Sequence, residues 1–129
     1  MNKFREAGYK RARMIHDYKR EHPSQMEWRL IQAVMKSRLK IVGLEYEISD
    51  GDWYGWINIA ADVDGELVFI DLPNMHPGSK YKRTIRRKRE YCEKHGIPYL
   101  LIRGKTVVEM QAEIEKWLLR LLLERRKES

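Results

Sequence analysis

The stretch "INIAADVDGELVFIDLPNMH", residues 57–76, decides the fold, because it reads as two β-strands joined by a tight turn. Asp64 and Gly65 form a dipeptide that favours a two-residue hairpin turn, since both residues tolerate positive φ. The strand after the turn is apolar on both faces except at Asp71, which is typical of a central strand. We therefore predict an antiparallel hairpin in the middle of a sheet.

The turn also predicts which residues of the hairpin face each other. Counting outward from the turn, Asn58 faces Asp71, and Trp56 faces Pro73. Asp62 lies four residues from Asn58, about 13 Å along a strand. That distance is too long for Asp62 and Asp71 to share a metal ion whose ligands lie about 2.1 Å away. Asp62 is a candidate metal ligand only if the hairpin pairs in another register.

The rest of the chain supplies helices and two further strands. Ser24 and Glu27 form a capping box that starts a helix, and Gly96 ends a very basic helix. The predicted strands are "LKIVGLEYEI" (39–48), "WYGWINIAADV" (53–63), "ELVFIDLP" (66–73) and "IPYLLIR" (97–103), and the later helices are "KYKRTIRRKREYCEKHG" (80–96) and "TVVEMQAEIEKWLLRLLLERR" (106–126). This order predicts an α/β fold, α-β-β-β-α-β-α, with a mixed sheet flanked by helices, over residues 23–129. Residues 1–22 are basic and are predicted to form an N-terminal arm or helix.

Alternation along residues 53–63 predicts the two faces of the second strand. One face would carry Trp53, Ile57, Ile59, Ala61 and Val63, and the other Tyr54, Trp56, Asn58, Ala60 and Asp62. On this assignment Tyr54 and Trp56 share the face of Asn58, where they could stack on nucleic-acid bases. Partly buried strand aromatics are the simpler interpretation.

The charge balance predicts a polyanionic partner. Lys and Arg number 26 against 19 Asp and Glu, a net charge of +7, so DNA is the first candidate partner and RNA the second. Seven cations crowd ten positions of one predicted helix, namely Lys80, Lys82, Arg83, Arg86, Arg87, Lys88 and Arg89, with no acid before Glu90. A solvated helix face normally mixes both signs, so we expect this helix to contact phosphates.

Composition sets further expectations. A chain of 129 residues is the size of one domain with a single core. Cys92 is the only cysteine and can form no disulfide within the chain, which suits a reducing compartment. No apolar run approaches the roughly 20 residues that span a bilayer. We therefore expect a cytoplasmic protein without a membrane partner.

The order of these elements resembles the restriction-endonuclease-like, or PD-(D/E)XK, superfamily of nucleases. Residues 24–48, "SQMEWRLIQAVMKSRLKIVGLEYEI", are similar to the opening of phage-type junction-resolving endonucleases. Residues 67–76, "LVFIDLPNMH", are similar to the third strand of that group and of the very-short-patch-repair endonucleases, and residues 88–103, "KREYCEKHGIPYLLIR", to the helix and strand that follow. The resemblance covers residues 22–123. It implies a restriction-endonuclease-like core and cleavage of phosphodiester bonds in branched or damaged DNA.

The resemblance also implies a metal site. Nucleases of this superfamily hold Mg²⁺ (or Mn²⁺) with a carboxylate from the first helix and one from each of two strands, and a lysine two residues beyond the last carboxylate balances charge. By resemblance Glu27, which the capping box also explains, takes the helix position, and Asp71 takes the third-strand position. The hairpin register puts Asn58 where the superfamily has its Asp and Pro73 where it has its Lys. The motif is therefore degenerate.

Other side chains are candidates for the missing chemistry. Lys80 and Lys82 are the nearest lysines, and His76 is a candidate general base or acid by likeness to the repair endonucleases. The candidate catalytic set is Glu27, Asn58, Asp71, His76 and Lys80. Three functions stay open: a metal-dependent endonuclease, a catalytically inactive nucleic-acid-binding protein on the same fold, and an unrelated basic α/β interaction module.

The last predicted helix carries more apolar surface than one sheet needs. The residues that suffice to cover the sheet are Val107, Ile114, Leu118 and Leu121, and the additional ones are Leu119, Leu122 and Leu123. A further apolar surface predicts a homodimer built on this helix. The alternative is that the basic first helix folds back and covers it.

Overall fold

The computed structural model describes residues 3–51, 53–73 and 79–128, and the side chains of residues 6–51, 53–73 and 82–127. The helices are α1 (Lys3–Glu21), α2 (Gln25–Met35), α3 (Ser79–His95) and α4 (Val107–Glu128), and the strands are β1 (Lys40–Asp50), β2 (Trp53–Val63), β3 (Glu66–Asp71) and β4 (Tyr99–Leu101). The chain is an α/β protein, as predicted. No helix in these ranges is long and apolar enough to cross a membrane.

The four strands form one mixed sheet in the order β1-β2-β3-β4. β1, β2 and β3 pair antiparallel, and β4 pairs parallel to β3. The predicted hairpin register is confirmed from Val63 opposite Glu66 to Ile59 opposite Ile70. Asp64 at φ +52° and Gly65 at φ +87° form the turn, which explains why this dipeptide sets the register.

Helices cover both faces of the sheet. On one face, α2 and α4 pack against the sheet in a cluster that includes Leu30, Val68, Ile70 and Ile114. On the other face, Cys92 of α3 joins a second cluster with Ile48, Ile57, Ala60 and Phe69. Asp71 lies at the end of β3, between its apolar neighbours, and so is buried by the fold itself.

The predicted face assignment of β2 is wrong at Trp53 and Ile57. Both residues pack in the cluster on the α3 side, whereas Ile59 lies in the cluster on the α2 and α4 side. The strict alternation is interrupted at Asn58, between Ile57 and Ile59. β1 also changes face, at Glu45, which has φ +46°. Glu45 lies between the cross-strand pairs Leu44–Ile59 and Tyr46–Ile57, which flank Asn58. A residue with left-handed backbone angles in a strand changes the direction in which the neighbouring side chains point. Both strands therefore change face at one level of the sheet.

The N-terminal residues predicted to form an arm or helix form helix α1, which packs on β1. None of its described side chains belongs to either apolar cluster. Tyr9 donates a hydrogen bond to Glu47 at 2.9 Å, and Arg20 donates to the carbonyl oxygens of Leu44 and Glu45 at 2.8 Å each. Polar contacts therefore contribute to holding α1 in place.

Candidate functional site

Asn58 and Asp71 lie side by side where the pairing of β2 and β3 ends. The Asn58 backbone N–H donates to Oδ1 of Asp71 at 2.7 Å, and the Leu72 backbone N–H donates to Oδ1 of Asn58 at 2.8 Å. Each side chain thus satisfies a backbone group of the opposite strand. The two residues meet as the hairpin register predicts.

Asp71 is a buried carboxylate whose second oxygen has two further donors. Asp71 is 1% exposed. Its Oδ2 accepts hydrogen bonds from Nζ of Lys88 and from the hydroxyl of Tyr99, both at 2.8 Å. Burial and the charge of Asp71 raise the pKa of Tyr99 far above its usual value, so the phenol stays protonated and donates. A buried carboxylate with a cation and hydrogen bonds on both oxygens is a satisfied ion pair.

Lys88 was not among the predicted candidates for a displaced lysine. It lies on the inner face of α3 with Ile85 and Cys92, at helical spacing, and this face meets the sheet. The apolar periodicity of the helix is the sequence signal that marks Lys88 as inward. Lys82 is exposed, while the side chain of Lys80 lies outside the described residues.

The helix carboxylate Glu27 meets a second buried acid that the sequence did not reveal. Glu27 belongs to the predicted capping box, in which its backbone N–H donates to Ser24 and its carboxylate accepts from the Ser24 N–H. Burial and a hydrogen bond with Glu45 raise the pKa of Glu27. The neutral form of Glu27 is therefore favoured more strongly than in a free glutamate.

Glu45 is only 3% exposed and binds a ring nitrogen of a histidine from α1. Nδ1 of His16 lies 2.7 Å from Oε2 of Glu45. Burial alone would raise the pKa of Glu45, but its hydrogen bonds with His16 and Glu27 outweigh burial and leave this pKa below its usual value. A buried acid at positive φ is a combination that structures keep at functional sites. No local pattern in "GLEYEI" predicts it, because the alternation assigns Glu45 to a solvated face.

A small cavity joins the two parts of the site. Glu27 and Glu45 line it together with Asn58, which binds Asp71 on its other side. The structure thus brings Glu27, Asn58 and Asp71 to one region of the sheet. In residues 3–51, 53–73 and 79–128, no three His, Cys, Asp or Glu side chains are grouped so that they could hold a metal ion.

The other candidates lie elsewhere. Asp62 faces Leu67 and accepts a hydrogen bond from the Gly65 backbone N–H at 3.3 Å, so it supports the turn. The alternative register that would bring Asp62 to Asp71 is not adopted. His76 lies outside the described residues.

The aromatic pair of β2 is covered by α1. The His16 ring stacks on Trp56 with centroids 4.1 Å apart, and Tyr9 contacts Tyr54 edge to face at 5.1 Å. Trp56 is buried and Tyr54 is half-buried. A base could stack on Trp56 only after α1 has moved.

The outer face of α3 is cationic. Its described exposed cations before Glu90 are Lys82, Arg83, Arg86, Arg87 and Arg89. Arg86 lies 4.0 Å from Glu90, and both side chains are well exposed, so this pair neutralises little. The guanidinium of Arg89 lies over the Tyr99 ring at 5.4 Å. Helical spacing therefore divides the described part of the basic run, residues 82–89, into the inward Lys88 and a solvent-facing positive surface.

No protein-family model matches the chain, and no curated protein sequence matches it. The geometry defines the class of protein as an α/β domain that carries two features close together. One is the buried pair of Asp71, at the end of β3, with Lys88 of α3. The other is the cationic outer face of α3, the helix that carries Lys88 on its inner face.

Glu27→Gln is expected to raise the melting temperature at pH 7. A carboxyl whose pKa is higher in the folded state costs stability once the pH exceeds its unfolded pKa, and Gln removes that cost while it keeps both hydrogen-bonding roles. The gain should be present at pH 7 and absent at pH 4, where Glu27 is protonated in both states. Thermal unfolding of both proteins at the two pH values measures it. A variant no more stable than the wild type at pH 7 would show that the fold does not raise the pKa of Glu27.

Proposed function

We propose that the protein binds DNA and that the exposed cations of α3 contact its phosphates. The observation that carries this proposal is the division of the basic run: Lys88 turns inward to pair with Asp71, and the described cations around it face solvent. No acid precedes Glu90 on this helix, so the field of the surface has one sign. Contacts of this kind give affinity without base readout.

Removing three of these cations is expected to weaken DNA binding by an order of magnitude or more at about 0.15 M salt. The variant is Arg83→Gln, Arg86→Gln and Arg87→Gln in one chain. The slope of log affinity against log salt should also fall by about 1 for each arginine that contacts a phosphate. Fluorescence anisotropy with labelled duplex, branched and single-stranded DNA, and with RNA, measures both quantities.

The matched control removes the same charge from other exposed positions. Lys36, Lys105 and Lys116 are exposed and lie outside α3, so their triple Gln variant has the same net charge. If the two variants lose affinity equally, the net charge and not the α3 surface drives binding. If the wild type does not bind at moderate salt, the protein is a basic module with another partner.

A second candidate function is metal-dependent cleavage of DNA at Glu27, Asn58 and Asp71. The observation that favours it is the ammonium group of Lys88, which lies 2.8 Å from Asp71 and supplies the charge that Pro73 cannot. This makes Lys88, in place of Lys80 or Lys82, the candidate for the lysine of the nuclease motif. The resemblance to PD-(D/E)XK nucleases supports the same function.

The side chains in their present arrangement do not fit Mg²⁺. Both oxygens of Asp71 are engaged by Asn58, Lys88 and Tyr99, and burial together with Glu45 raises the pKa of Glu27, which disfavours its ionised form. A hard divalent cation needs ionised oxygen ligands that are open to it. Binding without cutting is therefore the function that the geometry supports better.

A cleavage assay separates the two functions. Branched, nicked and linear DNA would be incubated with Mg²⁺ or Mn²⁺. Cutting that disappears in Asp71→Ala would establish a nuclease, provided that circular dichroism shows the variant folded. Tight binding with no cutting in either metal would establish a binding protein.

A further inference from the structure

Helix α4 has a second apolar face besides the one that packs on the sheet. Its first face buries Met110, Ile114 and Leu118 in the core. On the outside, Leu119 is 59% exposed and Leu123 is 49% exposed. With Leu122 between them, these leucines follow a helical spacing of three and four residues and form one surface.

Helix α1 does not cover this surface, although the sequence left that alternative open. α1 lies instead on β1 and on the aromatic side chains of β2, where His16 stacks on Trp56. The exposed leucines of α4 thus have no cover in the part of the chain that the structure describes. Adjacent exposed leucines of this kind mark an interface.

We propose that a second copy of the chain covers this face, with the two α4 helices packed antiparallel about a two-fold axis. The positions Glu115, Leu119, Leu122 and Arg126 are separated by four, three and four residues, which is the spacing of a coiled-coil seam. An axis between Leu119 and Leu122 places Leu119 on the partner's Leu122. The same axis places Glu115 opposite the partner's Arg126.

The charges favour a second copy over an unrelated helix. Under the two-fold axis, Glu115 of one chain faces Arg126 of the other at each end of the seam. Each end therefore pairs an acidic side chain with a basic one. A parallel arrangement would instead place each of these charges against its own kind. Arg38 and Asp64, which line the groove beside the leucines, also supply both signs, as a self-complementary surface requires.

The mass in solution tests the proposal. Light scattering at about 50 µM, a concentration at which even a weak specific dimer is substantially populated, should give twice the 15.6 kDa of one chain. Leu119→Glu should give a monomer with unchanged circular dichroism. Val108→Glu is the control, because Val108 is 76% exposed on the same helix but, under this axis, lies opposite no residue of the partner's α4. A monomeric wild type would overturn the proposal.

A charge exchange tests the antiparallel geometry and does not depend on how Leu119→Glu folds. Glu115→Arg should weaken the dimer by about tenfold or more, since it sets like charges against each other at both ends. Glu115→Arg combined with Arg126→Glu should restore the dimer. Failure of the double variant to recover would overturn the pairing. Recovery at the wild-type level would establish it.

Discussion

Replacing Lys88 by methionine is expected to lower the free energy of unfolding by about 3–5 kcal/mol, because it leaves a buried carboxylate without its cation. Asp71 is 1% exposed, so water cannot replace the ammonium group. Methionine keeps most of the apolar stem of the lysine, so that the loss measures the charge and not the packing. Urea unfolding at pH 7, with the midpoint and the slope both fitted, gives the value.

The control for Lys88→Met is Arg87→Met. Arg87 is the preceding cation of the same helix, but it faces solvent, and its loss should change stability by less than about 0.5 kcal/mol. Asp71→Asn in the Lys88→Met background should be less damaging than Asp71→Asn alone, since the two charges then leave together. A loss below about 1 kcal/mol in Lys88→Met would show that Asp71 and Lys88 are not coupled in solution.

Asn58→Asp is expected to make the stability of the protein depend on divalent metal. It places a second carboxylate beside Asp71, where the backbone bond from Leu72 can still be accepted. Without metal, two adjacent acids should destabilise the fold. Mn²⁺ at about one hundred times its dissociation constant should return about 2.7 kcal/mol, whereas the wild type should not respond. A lysine at Pro73 is unnecessary, because Lys88 already supplies the ammonium group.

Thermal unfolding with and without Mn²⁺ measures this response, and calorimetry measures the binding itself. Asn58→Ala is the matched control, because it loses the side-chain bond to Leu72 without adding a charge and should remain indifferent to metal. A folded Asn58→Asp protein that neither binds Mn²⁺ nor gains stability from it would show that this level of the sheet cannot form a metal site.

The sequence predicts the hairpin well because its signals are local. The turn at Asp64 and Gly65 sets the register, and the register brings Asn58 to Asp71. The prediction failed at Ile57 because strict alternation assumes a regular strand, and the positive φ of Glu45 breaks that regularity. No composition signal marks a glutamate for that conformation.

The partners of the site were harder to predict because they come from distant parts of the chain. Tyr99 reaches Asp71 across 28 residues, and His16 reaches Glu45 across 29. These contacts depend on how helices are placed on a twisted sheet, which no local rule supplies. Lys88 is intermediate: helical periodicity marks it as inward, but only the packing of α3 on β3 shows which acid it meets.

The described side chains of α1, residues 6–21, belong to neither apolar core, and this affects the dynamics of the protein. A helix held by hydrogen bonds and by the ring contacts of Tyr9 and His16 is expected to be a separate cooperative unit that opens at a lower free energy than the sheet beneath it. Its backbone amides should therefore exchange with solvent through partial unfolding, while those of β2 and β3 exchange only when the whole domain unfolds. Each such opening bares Trp56 and frees Glu45 from His16, while the pairing of Asp71 with Lys88 persists.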